Sequence, residues 1–145
     1  MATVSRKALA ALVHTNLTSI TGVTLYEGEP SKTPPTIPGD TAGRVRPYVI
    51  EWPGAGTHDD EEDLAADHIG LLWTFQLSCV AGKTADLLQL VDAVTIGFER
   101  WSPSVGGISL GRCRQLNDPG PPRPDRSVTP TRYVLPLQYV LHAGT

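Results

Sequence analysis

Cysteine is scarce in this chain, with only Cys79 and Cys113 among 145 residues. Two thiols cannot make a disulfide framework. The apolar run from Ala8 to Val13, which follows Arg6 and Lys7, is too short for a secretory leader. Both cysteines are therefore expected to be reduced, small core residues in a cytoplasm-like compartment. An excess of one charge is lacking as well. The 12 Lys and Arg against 15 Asp and Glu leave a formal net charge of -3, which gives no support to a nucleic-acid-binding surface. Nothing is long and apolar enough to span a membrane. Catalytic signatures are missing too: no GxGxxG, P-loop or HExxH occurs, and no serine reads as an activated nucleophile. His14, His58, His68 and His142 are dispersed along the chain. Neither an enzyme nor a bound cofactor or metal is expected.

What is present is organised around Leu71 to Trp101. Leu71, Trp73, Phe75, Leu77 and Cys79 share one parity, against Leu72, Thr74, Gln76, Ser78 and Val80 on the other. That period of two predicts a half-buried strand. After Ala81-Gly82-Lys83, Thr84 is suited to cap a helix and Asp86 to sit in its first turn. At about 100° per residue, Leu87, Leu90, Val91, Val94, Phe98 and Trp101 then form one stripe, which predicts an amphipathic helix laid on the strand. Ile96 falls opposite the stripe. It reads either as a scattered exposed side chain or as a small docking point on the outer side of the helix.

The remaining elements follow from the same rules. Thr3 to about Ile20 is a helix with Leu9, Leu12, Val13, Leu17 and Ile20 on one face, capped by Thr3 or Ser5 and ended by Gly22. Val23 to Glu27 and Arg46 to Trp52 are strands, separated by a loop rich in proline and glycine. Gly107 to Leu116 is a strand of imperfect pattern, in which a bulge at Gly111 turns Cys113 inward and Arg112 and Arg114 outward. Tyr133 to Leu141 is the last strand, and Pro136 predicts that it is an edge strand or bulged. The expected fold is one α+β domain over residues 1–145. A single mixed or antiparallel sheet carries two main helices on one face, in the order α-β-β-β-α-β-β, with long loops.

Between the second and third strands, Asp59, Asp60, Glu61, Glu62 and Asp63 crowd together, bracketed by His58 and His68. They read first as a solvated, self-repelling loop. A metal site lacks the EF-hand spacing, and an acidic surface shown to a partner or a pore stands between those two readings. Three long loops are many for so small a domain. Such segments gain their order by docking on neighbours, which points to an assembly protein.

The segments RPYVIEWPGAGT, WTFQLSCVAGKTADLLQLVDAV, NDPGPP and RYVLPLQYVLHA, following the amino-terminal helix, stand in a specific order and spacing. In that pattern the chain resembles the tail terminator (tail completion) proteins of long-tailed bacteriophages, in the form common among phages of actinobacteria. Those proteins often read F-Q-x-x-C-V-G-G in the middle segment, where this chain has Ala81-Gly82. The resemblance implies a protomer related to the minor tail protein U of lambdoid phages. It further implies a hexameric ring at the head-proximal end of the virion tail, assembled in the host cytoplasm. Such a ring caps the tube of tail tube protein, ends its polymerisation and meets the head-tail connector protein. DNA would be only passing cargo, and the segment from Asp59 to Asp63 is a candidate for the negative lumen. A neighbouring connector or head-closure ring protein is the alternative in the same class, and a monomeric cellular binding module or small enzyme the alternative outside it.

Overall fold

A computed structural model describes residues 5–20, 23–29, 33–58 and 70–144 of the chain. Helix α1 spans Arg6–Thr18, strand β1 Thr24–Glu27, β2 Tyr48–Pro53, β3 Thr57–His58 and β4 Gly70–Ala81. Helix α2 spans Thr84–Phe98 and is followed by β5 (Ser104–Val105), β6 (Ile108–Ser109), β7 (Arg114–Gln115), β8 (Arg123–Asp125) and β9 (Arg132–Gly144). The fold is α+β: the described residues form two helices and a mixed sheet in the order β1-β2-β4-β9-β7, with β3 added to β4 and β8 to β9. β1 runs parallel to β2, whereas β2, β9 and β3 all pair antiparallel with β4.

The alternation read in the sequence decides which face is covered. Leu71, Trp73, Phe75, Leu77 and Cys79 of β4 are buried with Leu135, Leu137, Tyr139 and Leu141 of β9. Leu9, Val13 and Leu17 of α1 and Leu87, Leu90, Val94 and Phe98 of α2 close over them, so both helices lie on one face. Phe75 is the aromatic hub, 5.1 Å from Trp73, 5.7 Å from Phe98 and 5.4 Å from Tyr139 between ring centroids. Each fully buried side chain of this size contributes about 1.5–3 kcal/mol. On the opposite face a smaller cluster forms, in which Val45, Tyr48, Ile50 and Val80 pack with Tyr26 and Val134.

Several boundaries differ from the sequence expectation. Helix α1 begins at Arg6, and of the two candidate caps Ser5 is used: its Oγ accepts from the Ala8 N–H at 3.3 Å. Gly22, expected to end it, lies outside the described residues. Lys83, not Thr84, is the N-cap of α2, and it makes no side-chain capping bond. The two-residue Gly82-Lys83 link brings the chain out of β4 so abruptly that Thr84 is already helical. A Cβ on Gly82 would stand 2.7 Å from the Arg44 Cβ, so only glycine fits there. At the other end, Arg100 adopts φ 58 and folds Trp101 back, its ring 5.1 Å from Phe98.

The expected strand from Gly107 to Leu116 is broken into β6, which forms a separate hairpin with β5, and the two-residue β7. The orientation expected there holds, with Cys113 buried and Arg112 and Arg114 exposed. A break rather than a bulge produces it: the Gly111 N–H donates to the His142 carbonyl and the Cys113 N–H to the Trp101 carbonyl. Strand β9 is neither at the edge nor bulged opposite β4, since its register runs unbroken from Gly70↔Gly144 to Ala81↔Tyr133. Pro136 is tolerated because β7 and β8 leave a gap beside it on the other side, where no ladder donor is required.

Candidate functional site

The parallel register of β1 and β2 sets Glu27 directly beside Glu51. Both follow the helix-facing parity of Leu25 and Val49, so two like charges meet on the covered face, an unfavourable pairing unless a cation compensates. The group that meets this pair comes from α1. His14 follows the buried Val13, and its Nδ1 lies 3.1 and 3.2 Å from Glu51 Oε1 and Oε2 and 3.6 Å from Glu27 Oε1. Glu51 is only 5% exposed, while the Glu27 side chain is 74% exposed. Burial pushes the Glu51 carboxyl above its ordinary range; His14 opposes that shift and Glu27 adds to it. A cavity of about 270 Å³ between α1 and the sheet adjoins the trio, with Lys7, Ala10, Trp73 and Phe75 among its walls.

None of these three residues was singled out by sequence reasoning. One signal was present: in Tyr48-Val49-Ile50-Glu51, the acid shares the parity of a core valine. A carboxylate at such a position requires a partner.

The residues that were singled out lie elsewhere. Ile96 is 75% exposed on the outer side of α2, with Leu88 two turns earlier 50% exposed. Asp59, Asp60, Glu61, Glu62 and Asp63 lie outside the described residues. Across the sheet, on the face away from the helices, Trp52 and Leu116 are exposed. They line a groove with Thr74, Gln76 and Gln138.

Other chemistry is disfavoured by placement. Burial pushes both thiols up to about 12, which keeps Cys79 and Cys113 protonated and unreactive. The run from Gly107 to Gly111 has the GxSxG spacing, a match that the sequence reading passed over. Ser109 lies in the β5–β6 hairpin and not on a strand-to-helix elbow. Gly82-Lys83-Thr84 ends as a phosphate-binding loop does, yet Leu77, where that loop needs its first glycine, is paired inside β4. No protein-family model and no curated protein matches this chain.

Proposed function

We propose that the protein is a structural virion protein, a bacteriophage tail terminator, and not an enzyme. Copies of the chain associate head to tail into a closed ring, six-fold by the resemblance. The ring caps the tail tube, ends its growth and offers a surface to the head connector. The observation that carries this reading is the pair of different apolar patches on opposite sides of the protomer. Leu88 and Ile96 project from the outer side of α2, and Trp52, Leu72 and Leu116 are exposed beyond the other face of the sheet. Two unlike patches facing opposite ways suit a heterologous contact, and such a contact generates a ring when its rotation closes.

The segments that carry the resemblance also coincide with the scaffold: β2 and its turn, the β4–α2 unit, the loop whose Asn117 side chain bonds to β9, and β9 itself. The acidic segment from Asp59 to Asp63 suits a lumen that passes DNA without holding it. Polymerising tail tube protein with and without this chain tests the proposal. Tubes whose growth stops on its addition support it, and tubes that lengthen unchanged contradict it.

One observation favours the second reading, a monomeric binding module: the cavity beneath α1 with a buried carboxylate in its wall. A neighbouring connector or head-closure ring shares the association but would leave tube growth unaffected.

A further inference from the structure

The geometry points to a divalent first-row transition-metal site formed by His14 Nδ1, Glu27 and Glu51. One ligand atom from each residue lies within 4.8 Å of the others. The shorter separations, 3.1 Å from imidazole to Glu51 and 3.6 Å from imidazole to Glu27, bracket the spacing between neighbouring ligands of a tetrahedral ion. With bonds of about 2.0–2.2 Å, that spacing is roughly 3.3–3.6 Å.

Electrostatics supplies an independent reason. Glu27 and Glu51 are forced together by the β1–β2 register, and Glu51 is nearly fully buried. With His14 neutral the trio carries two negative charges, and Lys7, which lines the adjoining cavity, forms no ion pair among the described residues. A dication balances that charge completely. One imidazole nitrogen with two carboxylates is a donor set suited to zinc or manganese rather than to magnesium, which prefers oxygen and retained water. The three ligands come from α1, β1 and β2, so a bound ion would fasten the first helix to the sheet edge.

Isothermal titration of untagged, chelator-treated protein with zinc chloride tests the site. The expected result is one ion per chain, with affinity falling at least about tenfold in His14→Gln, Glu51→Gln and Glu27→Gln. Glu27 is exposed, so its variant reports on ligation even if a change at Glu51 disturbs folding. Magnesium chloride should bind at least about tenfold more weakly than zinc. Replacing Asp59 to Asp63 by asparagine should leave the zinc affinity unchanged. The assignment is overturned if zinc gives no saturable heat, if Glu27→Gln and His14→Gln bind as the parent does, if binding follows the acidic segment, or if magnesium binds equally well.

Discussion

The Asn117 side chain bridges Pro136 and Gln138 of β9. Its Nδ2 donates to the Pro136 carbonyl at 3.1 Å, and its Oδ1 accepts from the Gln138 N–H at 2.9 Å. One amide thus replaces the missing strand in the gap between β7 and β8, which is how a proline fits into a strand flanked on both sides. Asn117→Ala leaves both backbone groups without that partner. It should cost about 1–3 kcal/mol, read by chemical denaturation. Asn117→Asp keeps the acceptor but loses the donor to Pro136, and should fall between the two. A variant as stable as the parent would show that water serves β9 equally well.

The inner and outer sides of α2 should separate stability from assembly. Leu90→Ala removes buried methyl groups and should destabilise the protomer by about 2–5 kcal/mol. Ile96→Glu and Leu116→Glu, both at exposed positions, should each stay within about 0.5 kcal/mol of the parent. Each should nevertheless block association, because a carboxylate is buried unpaired at the contact. Mixing the two variants should give dimers that go no further, since each retains the surface that the other lacks. Light scattering measures this. Unfolding of Ile96→Glu would refute the helix phase, and undisturbed association would refute the contact.

Glu51 should leave a pH signature in metal-free buffer. Burial raises its carboxyl above the ordinary value of 4.5, so the folded chain holds this proton to higher pH than the unfolded chain does. Its contribution to stability therefore declines as pH rises from 4.5 through the raised folded value. Glu51→Gln has no such titration, so its stability relative to the parent should improve as pH rises above 4.5. Denaturation midpoints across that range measure the difference. A flat difference, or one that moves in favour of the parent, would contradict the shift.

Thiol labelling checks the core. With pKa values of about 12, roughly one part in ten thousand of Cys79 or Cys113 is thiolate at pH 8. Both should resist a thiol reagent until the chain is unfolded. Rapid labelling of the native protein would place a cysteine outside the packed layer between sheet and helices.

The parts of this fold legible in the sequence are those set by neighbours along the chain. The alternation of Leu71 to Cys79 and the stripe of Leu87 to Phe98 each need only a local period, and both survive in the structure. The inward turn of Cys113 could be foreseen because two arginines cannot share the core with it. Pro136 was harder to place, because its tolerance depends on a gap between two strands and an asparagine 19 residues away. The trio of His14, Glu27 and Glu51 was out of reach for a related reason. It needs the parallel register of β1 and β2, and no local period encodes which strand lies beside which. The N-cap of α2 was missed by one residue, since the tightness of the turn at Gly82 is imposed by contact with Arg44.

Electron microscopy of the purified protein, alone and mixed with tail tubes, tests the central claim most directly. The account predicts closed rings with six-fold axial views, in solution or on tubes, and a cap of matching diameter at tube ends. A protein that stays monomeric at high concentration and leaves tube ends bare would contradict it.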